Sequence, residues 1–381
     1  MGNRSFRWIG GRIINNLQGW KTRRKIIVIE SDDWGSIRMP SRETYNACLK
    51  AGFPVDKIAY EKYDSLLSQN DLELLFNLLK SFKDFKGKHP VITSNCVVAN
   101  PDFNKIIDSD FMEYHYELIT DTFNRYPNHH RNFQIWGEAI EDGIFYPQYH
   151  AREHLNVSLF MEHLRRQNPV AIFAVNNQMP GCVPFENGRR GNFYVEATKF
   201  SSMQDKKAKI EIYLDGLRIF EDLFGYKSRS VIPPNYTWSP SYDEDLKNAG
   251  VRYIQGIHKM REPIPGGGIR YHNYYTGHRN HLGQIRLVRN AVFEPSLFGL
   301  NISDPIGRCL KEIKIAFLLN KPAIITSHRI NYVGFIDESN RDRNLRLLRE
   351  LFSKVLKKWP EIEFMNSEQL GDRISNNQNG E

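Results

Sequence analysis

Two adjacent carboxylates, Asp32 and Asp33, come directly after the apolar, β-branched run IIVI at residues 26–29. Such a run predicts a buried strand, so both carboxylates are expected at the end of a strand. Neighbouring anions repel each other, and a bound cation offsets that repulsion. One carboxylate can then hold a metal ion while the other takes a proton from water, which is the chemistry of hydrolysis.

Two histidines, His150 and His154, follow another predicted strand and lie four residues apart in the sequence. On a helical turn this spacing places both imidazoles on one face, close enough to bind one ion. With the Asp33 carboxylate they would form a His2Asp set that leaves positions open for water and substrate. Zn²⁺ is the expected divalent ion, with Co²⁺, Ni²⁺ and Mn²⁺ as alternatives.

Polar residues follow several other predicted strands. His328 follows the apolar run at 323–326, Asn95 and Asn100 lie near the end of the run at 91–98, and PPNYTW follows the run at 230–232. In a parallel barrel the carboxyl ends of the strands meet at one mouth, so these groups are expected to converge there. Five further histidines lie in loops and are not expected to bind metal: His129, His130, His272, His278 and His281.

Short apolar strands alternate with helices along the chain. Strands are predicted at 25–30, 91–98, 145–149, 170–175, 230–232, 251–254, 284–289, 323–326 and 363–365. Helices are predicted at 71–85, 156–167, 205–223, 241–249, 304–319 and 339–358, with N-caps at Asp71, Asn156, Ser241 and Asp304. The alternation predicts an α/β fold with a parallel sheet, and seven or eight such units favour a closed or nearly closed (β/α) barrel.

We expect a basic, amphipathic arm at residues 1–24, a single-domain barrel at 25–374 and a flexible tail at 375–381. The net charge of +8 comes from 52 basic and 44 acidic residues scattered along the chain, without a nucleic-acid-binding motif. Nucleic acid is therefore not an expected partner. The sequence lacks the long apolar run of a transmembrane segment.

The arm has neither the apolar core nor the small-residue cleavage site of a secretory signal, which favours a cytoplasmic protein. Its apolar residues suit one helix face that packs on the barrel, with peripheral contact to a membrane as the alternative. Those residues are Trp8, Ile9, Ile13, Ile14 and Leu17. Four cysteines are widely spaced, which favours free thiols in a reducing compartment. They are Cys48, Cys96, Cys182 and Cys309.

The order of these motifs resembles the polysaccharide deacetylase superfamily, which includes the nodulation-type chitooligosaccharide deacetylases. The shared features are an Asp-Asp pair after the first strand, HxxxH after a later strand, a Pro-rich strand end and a late His after an apolar strand. The resemblance covers residues 25–374, nearly the whole chain. It implies a distorted (β/α)7-type barrel that removes N- or O-linked acetyl groups with a bound divalent metal.

Carried over position by position, the resemblance implies a role for each motif residue. Asp32 would be the catalytic base, His328 the general acid, and Asp33, His150 and His154 the metal ligands. The motifs SDDWGS and HAREH depart from the usual family pattern, and no Asp-containing fourth motif is found. The sequence therefore indicates a divergent member.

The arginine that would orient Asp32 is displaced in this chain, because the third motif reads RSVIPPNYTW and begins at Arg229. Arg152 and Arg329 are the candidates to take over that role. Further candidates for contacts to the substrate or to the ligands are Trp34, Arg152, Glu153, Asn235, Tyr236, Trp238 and Arg329. The three aromatic residues among them suit either sugar-stacking faces or the core.

The expected function is removal of an acetyl group from a sugar or glycan through metal-activated water. Two alternatives remain open at this point. The first is a metal-dependent hydrolase of another non-peptide C–N bond on the same barrel. The second is a catalytically silent carbohydrate-binding barrel, although a binding module has no use for a base beside a metal. The sequence does not indicate an oligomeric state.

Overall fold

The computed structural model describes residues 10–11, 13–182, 185–186, 189–190, 194–300 and 304–377. Expectations for residues 1–9 of the arm, including Trp8 and Ile9, and for 378–381 of the tail lie outside the described residues. Residues 10–11 and 13–17 of the arm are helical. Among the described residues, no helix has the length and apolar composition that crossing a bilayer requires.

The described residues contain fifteen strands, with bounds as follows. They are β1 (Lys25–Trp34), β2 (Ile92–Val97), β3 (Ala99–Pro101), β4 (Tyr116–Leu118), β5 (Phe145–Ala151), β6 (Phe185–Glu186), β7 (Arg189–Arg190), β8 (Ser230–Val231), β9 (Tyr253–Gly256), β10 (Lys259–Pro263), β11 (Ile269–Asn273), β12 (Ile285–Val288), β13 (Ala291–Val292), β14 (Ala323–His328) and β15 (Ile362–Met365).

The helices of the described residues lie between these strands. They are α1 (Arg42–Lys50), α2 (Ala59–Lys62), α3 (Gln69–Lys80), α4 (Phe103–Asp108), α5 (Ile119–Arg125), α6 (Asn132–Glu141), α7 (Val157–Arg165), α8 (Pro169–Asn176), α9 (Met203–Phe224), α10 (Asp243–Asn248), α11 (Pro305–Leu318), α12 (Glu338–Lys358) and α13 (Ser367–Asn376). Short 3₁₀ turns occur at Val55–Lys57, Pro234–Tyr236, Pro240–Tyr242, Pro295–Leu300 and Arg329–Asn331.

The main sheet is parallel and has β1 at its centre. Its strand order is β12-β9-β8-β5-β2-β1-β14-β13, and β15 pairs beside β1. One edge of β1 pairs with β14, while the other edge pairs with β15 near its amino end and with β2 near its carboxyl end. Residues 26–29 are buried, as expected for a strand that is covered on both faces.

The two edge strands of the sheet, β12 and β13, belong to one continuous stretch of chain. Only Arg289 and Asn290 separate them. The Arg289 N–H donates to the Gly256 carbonyl of β9 (2.9 Å), and the Asn290 N–H donates to the Ile324 carbonyl of β14 (3.0 Å). This stretch therefore closes the sheet into a barrel with seven strand positions, counting β12 and β13 as one. The predicted distorted (β/α)7-type barrel is confirmed.

Helix α3 illustrates how the outer helices begin and pack. Ser68 is its N-cap, and Ser68 and Asp71 form a reciprocal capping box. The prediction of Asp71 as the N-cap was wrong, because Asp71 accepts the Ser68 N–H from the third helical position instead. Leu72, Leu75 and Leu79 are buried against the barrel. The apolar face was therefore predicted correctly even though the first residue was not.

Two other predictions of local structure were wrong. Residues 170–175, predicted as a strand, belong to α8. Asn168 Oδ1 accepts the N–H groups of Val170 and Ala171 (3.0 and 3.1 Å), and Pro169 occupies the first turn. A capped start with proline overrides the strand pattern of a short apolar run. Ser241 does not cap α10, since it lies inside a 3₁₀ turn and the helix begins without a side-chain cap.

Candidate metal centre and active site

A cavity of about 390 Å³ opens at the carboxyl end of the barrel. We call it the catalytic cavity. All five residues assigned catalytic or metal-binding roles by the motif comparison line it: Asp32, Asp33, His150, His154 and His328. Because they come from the ends of β1, β5 and β14, the closure of the barrel brings them to one place.

An irregularity at the end of β1 places both aspartates in the catalytic cavity. In a regular strand, successive side chains point to opposite faces. Here the pairing register with β2 shifts between Ser31 and Trp34, and Asp33 has a φ of 72°. A non-glycine residue at positive φ is strained, and such strain is tolerated mainly where function requires it. The bulge lets Asp32 and Asp33 reach the same cavity with different orientations.

The side chains of Asp33, His150 and His154 surround one point. Asp33 Oδ1 lies 3.5 Å from His150 Nε2 and 3.3 Å from His154 Nε2. One ligand atom from each residue lies within 4.8 Å of the others. Zn²⁺ with ligands at about 2.0–2.1 Å separates neighbouring ligand atoms by roughly 3.3 Å, so the spacing suits one ion.

The hydrogen bonding of His150 leaves one nitrogen free for a cation at this point. Its Nδ1 lies 2.8 Å from the Ile232 carbonyl, which can only accept, so Nδ1 donates and Nε2 is the atom that could bind a metal. Nε2 is buried without a hydrogen-bond partner and faces the Asp33 carboxylate. A cation bound between Nε2 and this carboxylate would give both buried groups a partner. The residues therefore fit a divalent metal.

The charge states of the other two ligands agree with this fit. Burial lowers the pKa of His154 to about 3, so its imidazole is neutral at neutral pH. Burial alone would raise the pKa of Asp33, but its neighbours, including the Arg38 guanidinium 3.5 Å from Oδ2, hold that pKa well below its usual range. Neutral imidazoles and an ionised carboxylate are the forms that bind metal.

The helical turn expected at the two histidines is absent from this described segment. His150 lies in β5, and the chain bends at residues 152–155. Pairing of β5 with β2 through Ala151 keeps this backbone extended. The bend then places the His154 side chain next to the end of β5. The centroids of the His150 and His154 imidazoles lie 4.9 Å apart. The imidazoles meet as predicted, but through a strand and a bend.

Asp32 is held by a bidentate ion pair. Arg289 Nη2 donates to Oδ1 (2.6 Å), Arg289 Nη1 donates to Oδ2 (2.7 Å), and Asn95 Nδ2 donates to Oδ1 (2.8 Å). Burial alone would raise the pKa of Asp32, but the charge and hydrogen bonds of Arg289 outweigh it and lower the pKa. Asp32 is therefore an ionised carboxylate of fixed orientation beside the three candidate metal ligands.

Arg289, which contacts Asp32, was not among the arginines considered for this role. Arg152 pairs with Glu153 (2.6 Å) and Asp215 (3.1 Å), and Arg329 Nε donates to Asp64 (2.9 Å). The expectation that Arg152 or Arg329 orients Asp32 was therefore wrong. Arg289 ended a predicted strand at 284–289, so the strand-end rule that identified His328 would also have found it.

His328 lies on the other side of Asp32, with Nε2 3.7 Å from Asp32 Oδ2. Its Nδ1 contacts Glu294 Oε1 at 2.5 Å, and Asn331 Nδ2 donates to Glu294 Oε2 at 2.7 Å. Burial alone lowers the pKa of His328, but the Glu294 carboxylate outweighs it and raises that pKa to about 9. His328 is therefore a proton donor at neutral pH. Glu294 was missed, although it follows the apolar run AVF after Asn290.

The proposed aromatic contacts divide into core and cavity residues. Trp34 is fully buried and packs edge-on against Phe145, with centroids 4.9 Å apart. Trp238 is buried, and its indole N–H donates to Asp243 (2.8 Å). Both belong to the core. Tyr236 lines the catalytic cavity, and its hydroxyl accepts from Arg289 (3.1 Å).

The remaining candidates occupy different places. Asn235 lines the catalytic cavity and donates to Glu196 (3.0 Å). Arg152 and Glu153 are buried and pair with each other. The other side-chain partner of Arg152 is Asp215, so the hydrogen bonds of Arg152 lead away from Asp32. The four cysteines are free and buried. Within the described part of the chain, Asp33, His150 and His154 form the one group of three such side chains placed to share an ion.

No protein-family model matches the chain, and no curated protein matches its sequence. Among solved structures, a probable polysaccharide deacetylase from Pseudomonas aeruginosa PAO1 is similar at 10% identity and TM-score 0.47, over 93% of this chain and 92% of that one. Puue allantoinase is similar at 10% identity and TM-score 0.46, over 93% and 91%.

A 4-alpha-glucanotransferase from Thermococcus litoralis is also similar, at 11% identity and TM-score 0.42. This match covers 91% of the present chain, which spans only 40% of the length of the glucanotransferase. At these identities and TM-scores, none of the similarities assigns a function. The chemistry is therefore inferred from the residues of this chain.

Proposed function

We propose that the protein is a metal-dependent hydrolase that removes an acetyl group from a sugar or glycan. The observation that carries the proposal is the buried Nε2 of His150, which faces the Asp33 carboxylate without a hydrogen-bond partner. A divalent ion held by Asp33, His150 and His154 would polarise a carbonyl and make a coordinated water more acidic. The order of the sequence motifs supports deacetylation as the reaction class.

Asp32 acts as the base that takes the proton of the attacking water. Its bidentate contact with Arg289 keeps it ionised and fixes its direction. Because the contact also lowers its pKa, Asp32 is a weak base. A weak base suits water that is already acidified, and this explains why the carboxylate lies next to the metal ligands.

His328 donates a proton to the leaving amine or alkoxide. Its Nε2 lies 3.7 Å from Asp32 Oδ2 and both residues line the catalytic cavity, so base and acid could reach the same bound carbonyl group. Glu294 keeps the imidazole protonated and holds its Nδ1, which leaves Nε2 to face the catalytic cavity. An acid and a base with pKa values displaced in opposite directions are typical of hydrolytic sites.

The cavity lining supports a small polar substrate. Arg38, Asn235 and Tyr236 line the catalytic cavity together with the residues above. They supply hydrogen-bond donors and acceptors of the kind that sugars need. Hydrolysis of another non-peptide C–N bond would use the same base, acid and ligands, and is therefore the competing outcome of the test.

The test combines metal analysis with product release. Purified protein is stripped with a chelator, reloaded with Zn²⁺ and assayed for acetate released from N-acetylated chitooligosaccharides and O-acetylated sugars. We expect one ion per chain, acetate release that is lost on stripping, and loss of both in His150→Gln. His130→Ala, which changes an exposed histidine, should match the parent protein.

Failure to bind one ion per chain, or acetate release that is unaffected by stripping, would refute the metal-dependent reaction. Metal binding with activity only on non-sugar amides would instead support the competing C–N hydrolase.

A further inference from the structure

A second cavity, of about 40 Å³, lies beside the catalytic cavity, and we call it the side cavity. Its lining is mainly apolar and includes Ile37, Met39, Leu155, Met179 and Val195. Tyr194 also lines it, and because the Tyr194 hydroxyl bonds to His163 Nδ1 (2.8 Å), the polar atom of this residue is already engaged elsewhere. Ser36 and Glu61 are among the polar residues of the lining.

The two cavities adjoin at the metal ligands. Arg38, Tyr60, His154 and Val195 line both of them. Since His154 is a proposed ligand, a group bound next to the ion would lie beside the side cavity. The side cavity is therefore placed to receive one end of a bound substrate.

The position of the general acid decides which half of a substrate enters the side cavity. Asp32 and His328 line the catalytic cavity and are absent from the described lining of the side cavity. A general acid must contact the leaving group. The leaving group therefore lies on the His328 side, and the group attached to the other side of the carbonyl points towards His154.

On the basis of the proposed function, we infer that the side cavity binds an apolar acyl tail longer than that of acetate. A volume of about 10–15 Å³ accommodates one water-sized group, so 40 Å³ holds roughly three. Three carbons beyond the carbonyl correspond to a butanoyl group. An acetyl group fills one of these places and leaves the rest of the apolar surface uncovered.

Chain-length preference tests this inference. The metal-loaded protein is assayed on 4-nitrophenyl acetate, butanoate and hexanoate. In each case water adds its oxygen to the acyl carbon and the C–O bond to 4-nitrophenol breaks, giving the carboxylic acid and the phenol. Each buried CH₂ is worth about fourfold, so kcat/KM should rise about 10-fold or more from acetate to butanoate. It should then fall or level off at hexanoate, which exceeds the cavity.

Met179→Phe tests the role of the side cavity, because Met179 lines this cavity and is absent from the described lining of the catalytic cavity. The phenylalanine ring should block the side cavity and lower the butanoate-to-acetate ratio about 10-fold, while acetate is still hydrolysed. Met203→Phe adds the ring at an exposed position on α9 and should leave the ratio unchanged. Thermal melting verifies that both variants are folded.

The outcomes separate this inference from the proposed function. Efficient, metal-dependent hydrolysis of the acetate ester with no gain for butanoate would overturn the acyl-tail assignment alone. An unchanged ratio in folded Met179→Phe would do the same. If no ester is hydrolysed by the metal-loaded protein, the proposed function fails and this inference fails with it.

Discussion

Individual side chains of this site are controlled by partners that come from distant parts of the chain. Arg289 makes Asp32 an oriented carboxylate, and Glu294 makes His328 a cation. Without these partners, burial would shift both pKa values the other way, raising that of Asp32 and lowering that of His328. The two ion pairs therefore keep Asp32 ionised and His328 protonated, although the two side chains lie only 3.7 Å apart.

Changing each of the adjacent aspartates to asparagine should impair a different property of the protein. Asp32→Asn should keep the metal and lose about 10²–10⁴-fold in turnover, because it removes the base. Asp33→Asn should weaken metal binding, and excess Zn²⁺ should restore part of its activity. Asparagine tolerates the positive φ of Asp33, so the backbone is kept. Equal loss of metal in both variants, measured by equilibrium dialysis, would contradict this division.

Glu294→Gln should change the pH dependence of activity. The raised pKa keeps His328 protonated at neutral pH, so activity should fall as pH rises through about 9. Without the carboxylate, burial dominates, and the alkaline fall should move towards or below 6.5, the ordinary value for histidine. The pH profile of kcat/KM measures this shift. Glu73→Gln, at an exposed position on α3, is the control, and an unchanged profile in Glu294→Gln would refute the role of Glu294.

At the scale of secondary structure, the stretch at 285–292 has two tasks. Its backbone joins the two edges of the sheet, and Arg289 in its middle holds both Asp32 and Glu30, with Nε 2.6 Å from Glu30 Oε2. The Arg289 guanidinium is fully buried. The element that closes the barrel therefore also sets the charge of the site.

Arg289→Met should lower both stability and activity. Removal of one partner from a buried ion pair typically costs about 3–5 kcal/mol, because the acids that remain are buried without a counter-charge. Urea unfolding measures the loss, and Arg218→Met, at an exposed position, should change stability little. Metal binding at neutral pH should persist, since Arg289 contacts no ligand atom in the described hydrogen bonds. A fully stable Arg289→Met variant would refute the task given to this residue.

The elements also explain what the sequence could predict. Apolar runs that end in polar residues predict strands such as β1 and β14. The polar ends of these runs identified Asp32, Asp33 and His328 as candidate site residues. Residues 170–175 also form an apolar run, but they follow Asn168 and Pro169. Because Asn168 caps the first turn and Pro169 lies within it, the run forms a helix instead of a strand. The partnership of Arg289 with Asp32 depends on how the sheet closes, which no local pattern contains.

At the scale of the whole molecule, the face opposite the site is held by Lys321. Its ammonium donates to the carbonyls of Gln18, Gly19 and Trp20 at 2.7, 2.7 and 2.9 Å, directly after the helical residues 13–17. A cation at the carboxyl end of a helix satisfies carbonyls that have no partner within the helix. Lys321 therefore attaches the segment before β1 to the barrel.

Lys321→Met should destabilise the protein without changing the chemistry of the folded fraction. Three carbonyls lose their donor, the Trp20 carbonyl in a buried contact and the Gln18 and Gly19 carbonyls in partly buried ones. Each group left unsatisfied in a buried place costs about 1–3 kcal/mol, and water can replace the donor where the contact is partly exposed. Thermal melting should show a lower Tm, while kcat per metal-loaded chain stays near the parent value. Lys314→Met, at an exposed position on α11, is the matched control. A drop in kcat with unchanged Tm would show that this face communicates with the site.

The Trp20 indole N–H donates to the Asn377 carbonyl at 2.8 Å, so the stretch before the first strand touches the stretch after the last helix. A short linker could join these two stretches with little rearrangement of the barrel. New ends could then be opened in an exposed loop, giving a circular permutant with the same barrel. Asn377 is partly exposed on the face opposite the site, so a tether there suits immobilisation of the protein on a support and leaves the mouth of the catalytic cavity facing away from the surface.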